Sequence, residues 1–386
     1  MTTAMRVEPT LAAPEAARRP WDAVIIGAGP AGSVAAAGLA HAGRRVLLLD
    51  RSRFPRWKVC GCTLNAGGVA VVRRLLAAAP GAIRTCPLDH VELASGPARA
   101  RLPLAGSAAV SREDLDAALV RCAIDAGADF LDEARAAAVS PAPHHAQVIL
   151  GDDNASRTLS ARLVLVAGGL CGLELPGLPA PRLSRTRVGL GATLDAPPFL
   201  RPGAVSMTIG RRGYVGAVLL PDGRTNLAAA ISPRLIREAG PAAAAACILE
   251  SAGHEWAPLA LAARWRGTAP LTRTRRRVAA GRILLLGDAA GYIEPFTGEG
   301  ITWALRCGDA AAGIAARILA GEADATAWQR WWARDIRPAH RRCALVAFAL
   351  RAGPLTRLAV RALGAAPRAA APLASIFGSG RVPAMP

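Results

Sequence analysis

Residues 21–50, WDAVIIGAGPAGSVAAAGLAHAGRRVLLLD, decide the fold of this chain. Ala23–Ile26 is an apolar run of strand length, and a glycine turn follows it. A segment of small residues then reads as a helix, and a second apolar run, Arg45–Leu49, closes on Asp50. Gly27, Gly29 and Gly32 form a GxGxxG at the strand-to-helix junction, with Pro30 and Ala31 between the last two. In such a junction the first glycine permits the tight turn, the second lets backbone approach a pyrophosphate, and the third lets helix and strand pack closely. The amides of the helix N-terminus then face the phosphates. Asp50, 23 positions beyond Gly27, stands where a carboxylate accepts hydrogen bonds from an adenosine ribose, with Arg51 beside it. The arrangement predicts an α/β chain with a Rossmann-like dinucleotide site.

The identity of the dinucleotide rests on residues 281–305, GRILLLGDAAGYIEPFTGEGITWAL. Here a third apolar strand, Ile283–Leu286, leads to Gly287 and Asp288, then to a loop with Pro295, Thr297, Gly298, Glu299 and Gly300, then to a helix near Ile301. An acid at a strand end beside a second glycine-rich helix start suits a polyol chain and a flavin ring. Two such segments in this order indicate FAD rather than NAD.

At 386 residues with 52% hydrophobic content the chain can bury a large core, and two lobes are expected. The formal charge of +19 invites a nucleic-acid reading. However, the arginines are scattered, with short runs only at RLIREAG, RTRRRV and PAHRRC, and aromatic residues make up 4%, too few for base-stacking platforms. A solvated arginine surface is the simpler reading, and no nucleic-acid partner is expected. Eight dispersed cysteines do not form a disulfide framework, no secretory signal stands out, and no apolar run reaches bilayer-spanning length. A cytoplasmic protein with reduced thiols follows as an expectation. Residues 1–20, rich in Ala, Pro and Arg, are expected to form a flexible arm.

GAGPAG with Asp50, then KVCG, then GDAAGYIEPFTGEGI resembles the FAD-dependent geranylgeranyl reductase-like branch of the flavoprotein superfamily that also holds aromatic hydroxylases and flavin halogenases. The resemblance implies that Asp288 holds the ribityl chain and that Pro295, Thr297, Gly298, Glu299 and Gly300 lie along the isoalloxazine. It places the KVCG loop, with Lys58, Cys60 and Gly61, near the flavin, and gives Arg112 an FAD contact. Ile301 and Gly287 complete this expected cofactor set. Lys58 is the single lysine of the chain, and a flexible point charge is not interchangeable with arginine. Cys60 and Cys62 are too close in sequence to build a metal site without further ligands; no metal is expected, and Cys62 is assigned no role. Cys60, Lys58 and Tyr214 are the candidate catalytic residues, the last as a proton donor.

Departures from the family bear on function. Gly291 stands where hydroxylases carry histidine, which favours the reductase-like branch. Gly168 stands where relatives carry the aspartate of Ala-Asp-Gly, so a separate reductase competes with NAD(P)H as electron donor. Gly216 replaces the tryptophan of the prenyl-reductase pattern after Tyr214, and a halogenase tunnel motif is not found. The leading expectation is therefore oxidation or hydroxylation of a small apolar aromatic, polyketide-like or isoprenoid metabolite. Reduction of carbon–carbon double bonds in a prenyl-type substrate is the alternative, and a non-catalytic dinucleotide-binding protein is the reading from another class.

The expected organisation is an FAD-binding domain of residues 21–88, 106–183 and 270–327, with an antiparallel substrate-side sheet of 89–105 and 184–269. LPDGRTN, with Asp222 and Gly223, supplies a hairpin signal in that sheet. Residues 328–386 are read as a C-terminal cap whose cationic amphipathic helices cover the active-site lobe, with peripheral membrane contact as the sharper alternative.

Overall fold

The computed structural model describes residues 6–77, 81–142, 144–151, 157–170, 173–184, 187–195, 200–294 and 296–366. Its first sheet follows from the apolar runs identified above. Strands Ile283–Leu285, Arg157–Val166, Pro20–Ile26, Val46–Leu49 and Asp129–Leu131 lie side by side in parallel, with Ala279–Ala280 at one edge. Ile25, Leu47, Leu48, Leu165 and Leu284 are fully buried, as expected of a parallel sheet covered on both faces. A hairpin of Arg135–Pro141 and Ala146–Gly151 extends the sheet from Arg157–Val166.

The two glycine-rich helices, Pro30–His41 and Gly300–Ala320, pack directly on one another. Small residues make this possible. A Cβ on Gly38 would lie 2.5 Å from the Cβ of Ala312, and one on Gly308 would lie 2.4 Å from the Ala31 carbonyl oxygen. Segments some 270 residues apart in sequence are thereby joined at backbone distance.

The second sheet runs Arg266–Pro270, Val188–Leu194, Thr225–Ile231, Gly213–Leu219, Ala204–Gly210, Cys86–Ser95, Ala98–Ala109 and Thr63–Leu64. Pairing is antiparallel except between Ala204–Gly210 and Cys86–Ser95. The expected hairpin turn is present: Gly223 has φ of +84°, and Asp222 accepts from the Arg224 amide at 3.0 Å. Helices Pro233–Ala239, Pro241–Glu250 and Ala257–Ala262 flank this sheet, with Ile248 and Leu249 packed against Val215 and Leu227. Helices Arg337–Ala349 and Gly353–Ala365 pack on its other part, beside strands Cys86–Ser95 and Ala98–Ala109.

The N-terminal segment corrects one expectation. From Arg6 onward it is held against the first lobe rather than forming a flexible arm. The Val7 amide donates to the Phe54 carbonyl at 3.1 Å, Thr10 pairs with Phe130, and Ala13–Arg18 is a helix whose Ala16 is fully buried. Trp21 Nε1 donates to the Ala16 carbonyl at 2.9 Å. These partners lie over 40 residues away or inside the first strand, so local composition gave no sign of them.

The glycine contacts yield a test. Gly308→Ala should lower stability by about 1–3 kcal/mol, because the added methyl meets backbone that cannot move aside. Gly313→Ala, in the same helix with nothing within 4 Å, should be neutral or stabilising by about 0.5–1 kcal/mol. Urea unfolding midpoints decide it; equal effects would refute the close approach.

Candidate FAD and substrate site

The two glycine segments open onto one cavity of about 590 Å³ that continues to the second sheet. At one end Gly27 adopts φ of +104°, and a Cβ there would lie 2.6 Å from the Ala167 carbonyl oxygen, so only glycine fits. Gly32 is equally constrained, 1.9 Å from the Gly27 carbonyl oxygen. Gly29 instead faces the cavity, and helix Pro30–His41 begins there with no side-chain cap on its first amides. Asp50 fixes the turn: its Oδ2 accepts from the Ala28 amide at 2.9 Å and its Oδ1 from the Ser52 amide at 3.0 Å. Each of these oxygens retains a second lone pair.

A cationic group lies beside this turn. Arg112 donates to both oxygens of Asp116, at 2.9 and 2.7 Å, and Arg56 lies 3.1 Å from the same carboxylate and 3.8 Å from Asp50. Asp116 is fully buried. Burial pushes its carboxyl up, but Arg112 and Arg56 outweigh burial and hold it below the usual range. One buried acid thus positions two guanidinium groups at the cavity wall.

Lys58 also faces the cavity, between Asp288 and these arginines. Burial lowers its ammonium, and Arg112 and Arg56 lower it further against the pull of Asp288. Asp288 is itself raised by burial, with Lys58 and Arg112 opposing. Gly169, with φ of +71°, makes room for the lysine, since a Cβ would lie 3.2 Å from its Nζ.

The loop carrying Lys58 is tied to the second sheet. Trp57 Nε1 donates to Thr193 Oγ1 at 2.9 Å, and Asn226 Nδ2 donates to the Cys60 carbonyl at 2.9 Å. Cys62 adopts φ of +56°, and its amide donates to the Cys60 sulfur at 3.3 Å. Hydrogen bonding from Cys62, against burial and with Arg112, lowers the Cys60 thiol to about 6, while the Cys62 thiol is pushed well up. Cys62, set aside in the sequence reading, is therefore the neighbour that activates Cys60.

Beyond the loop the cavity becomes apolar, walled by Leu88, Val91, Leu104, Val205, Met207 and Val218 and floored by Gly216, Ala217, Ala228 and Ala230. A Cβ on Gly216 would lie 2.7 Å from Met207 Sδ. Tyr214 borders this part, edge-on to Phe296 with ring centroids 5.1 Å apart. Burial and the nearby Glu294 hold its phenol well above the usual range, and Tyr292 is raised by burial and by Asp288. Behind Tyr214, fully buried Glu294 pairs with Arg187 at 2.7 Å and Arg351 at 3.6 Å.

Of the expected site residues, Gly27, Gly29, Pro30, Ala31, Asp50, Arg51, Lys58, Cys60, Gly61, Arg112, Tyr214, Gly287, Asp288, Thr297, Gly298, Gly300 and Ile301 all line this cavity. Gly32 lies beneath it as a packing contact. Glu299 is absent from the wall; it accepts from Thr297 Oγ1 at 3.1 Å at the start of helix Gly300–Ala320. Pro295 lies outside the described residues. Sequence reasoning missed Arg56, Asp116 and Glu294; the i,i+4 spacing of Arg112 and Asp116 was the only visible signal.

The FAD binding domain family matches residues 21–333. The chain belongs to this family. It is 29% identical to a menaquinone reductase of Mycolicibacterium smegmatis over 89% of its own length and 91% of that protein's. It is 26% identical to a digeranylgeranylglycerophospholipid reductase 2 of Methanothermobacter thermautotrophicus over 78% of each. Among solved structures, a flavoprotein/dehydrogenase from Cytophaga hutchinsonii superposes with a TM-score of 0.77 at 18% identity, covering 93% of this chain and 92% of that one. The protein is an FAD-dependent oxidoreductase, and its cavity fits FAD: a turn that accepts no Cβ at Gly27, uncapped helix amides, and two acids, Asp50 and Asp288, on one continuous wall.

The thiol pair can be tested by alkylation. In peptide-mapped labelling between pH 4 and 9, Cys60 should react with a midpoint near 6. Cys62→Ala, which removes the side-chain donor, should move that midpoint upward, toward the ordinary thiol value of about 8.5. A midpoint that Cys62→Ala leaves unmoved contradicts the assignment.

Proposed function

We propose that this FAD-dependent oxidoreductase reduces a carbon–carbon double bond in an isoprenoid chain, and that the apolar half of the cavity receives that chain. The single observation carrying this reading is the character of that half, lined by Leu88, Val91, Leu104, Met207 and Val218 together with Gly216, Ala217, Ala228 and Ala230. A polyisoprene offers no polar group to be oriented, and this wall offers few to orient it. Gly216, read from sequence as evidence against a prenyl channel, lines this half with Met207 packed over it. The two relatives reported above both carry reductase names, one of a menaquinone and one of a geranylgeranyl phospholipid.

In this reading Gly29, the first amides of helix Pro30–His41 and the Arg56–Arg112 pair neutralise the pyrophosphate. Asp50 takes the adenosine ribose, Asp288 the ribityl chain, and Thr297, Gly298 and Gly300 border the ring. FAD, when bound and reduced, supplies hydride. The chain's own part is to exclude water with the apolar wall, to hold the alkene against the ring, and to protonate the other carbon. Tyr214 suits the last role, because its phenol stays protonated across the physiological range. Lys58 stands at the junction of the polar and apolar halves, where its ammonium fixes charge near the ring. Electrons come from NAD(P)H or from a separate reductase, the latter favoured by Gly168.

Turnover of a prenylated quinone and of a geranylgeranyl lipid under anaerobic conditions, with dithionite as electron source, tests the reading. Products should gain two hydrogens per reduced bond, and Tyr214→Phe should slow turnover by about 10²–10⁴-fold with FAD content unchanged. A product that gains an oxygen atom, formed only in air, would select hydroxylation instead.

A further inference from the structure

The two C-terminal helices have a surface that the flavin site does not use. The helical stretch Ala325–Ala349, which includes helix Arg337–Ala349, meets Gly353–Ala365 at an elbow of 104°. Their inner residues Val346, Leu350, Val360 and Leu363 pack into the apolar cluster that also holds Leu88, Val91, Met207 and Tyr214. On its outer side, Leu345, Phe348, Leu355 and Leu358 are 69%, 61%, 67% and 64% exposed. These are four of the seven large apolar side chains that stand exposed among the described residues. Leu345 and Phe348 share a helix face with Arg341, and Leu355 and Leu358 share one with Arg361, by three- and four-residue spacing.

The charge around this apolar ridge has one sign. Residues 336–366 contain Arg337, Arg341, Arg342, Arg351, Arg357 and Arg361 and no aspartate or glutamate. Arg351 turns inward to Glu294 and Arg337 lies over Trp332, while Arg341, Arg342, Arg357 and Arg361 are exposed. Exposed leucines rimmed by arginines on a bent helix pair match an interfacial, monotopic element: the apolar side chains enter the acyl boundary and the guanidinium groups meet anionic head groups. A second copy of this chain would bring the same arginines face to face without an acid between them. Among the described residues no single helix is long and apolar enough to cross a membrane, and the elbow breaks the pair that would be.

We propose that this elbow docks on the surface of an anionic lipid bilayer through its exposed leucines, Phe348 and arginines. The proposal stands apart from the reaction assigned above, since it concerns the outer face of the helices and is read without substrate.

Full-length FAD-loaded protein is floated with phosphatidylcholine vesicles and with vesicles that also contain phosphatidylglycerol. The protein should partition onto the anionic vesicles and release as salt rises. Leu345→Glu with Phe348→Glu, or Leu355→Glu with Leu358→Glu, should each weaken partition at least tenfold. Arg341→Glu with Arg361→Glu should weaken it several-fold and flatten the salt dependence. Leu183→Glu, an exposed leucine elsewhere, should change nothing, and FAD content serves as the folding check. Serine in place of glutamate at the same four positions provides a milder set if a variant loses FAD. Absence of wild-type binding to anionic vesicles overturns the proposal, as does binding that all these variants retain. Concentration-dependent dimerisation in light scattering, lost in Leu345→Glu with Phe348→Glu and accompanied by no flotation, would overturn it in favour of a self-interface.

Discussion

The structure depends on backbone approaching backbone without side chains in between. Gly27 sits against Ala167, Gly32 against Gly27, Gly308 against Ala31, and Gly38 against Ala312. The first two hold the turn against the end of strand Arg157–Val166 in a single small space. The last two let helix Gly300–Ala320 lie directly on helix Pro30–His41, which places Gly287 and Asp288 beside the turn. Glycine costs conformational entropy in a helix. That cost is accepted here because a larger residue at any of these points would separate the two halves of one cofactor site.

The charges inside the cavity answer a different requirement. Removing ions from water is expensive, and a buried pair is weak evidence for stability. Asp116 with Arg112 and Arg56, and Glu294 with Arg187 and Arg351, are therefore better understood through what they position. The first group fixes two guanidinium groups at the cavity wall beside the glycine turn. The second anchors the floor beneath Tyr214 and ties the C-terminal elbow to it through Arg351. Between them lies the Lys58–Cys60 loop, fastened to the second sheet by Trp57 and Asn226. The loop joins the two lobes at the point where the cavity changes from polar to apolar.

That change of character links the site to the rest of the molecule. Small residues on strands Gly213–Leu219 and Thr225–Ile231 line the apolar half together with Leu88, Val91, Leu104 and Met207, and the elbow packs against the same apolar cluster. The helices that pack beside the chamber's lining strands expose leucines and arginines on their outer side. The apolar cluster beside the cavity and the exposed surface proposed to meet lipid thus lie on opposite sides of the same two helices.

The glycine turn, the strand–helix–strand unit and the GDAAG segment could be read from sequence because each is local: spacing over a few residues sets a backbone conformation, and only glycine can adopt it. The hairpin at Asp222–Gly223 and the alternating strands around it were legible for the same reason. Arg56, Asp116, Glu294 and the Cys62–Cys60 contact were not, because their partners come from other elements or from a single left-handed residue that no pattern marks. The N-terminal segment was misjudged likewise, since Val7 and Thr10 find their partners at Phe54 and Phe130. Sequence by itself determined which backbone turns could form and hence that a dinucleotide is held. Tertiary packing alone decided which charges meet, how wide the apolar chamber is, and which helix faces remain in solvent, because those depend on distances between segments that local propensity does not encode.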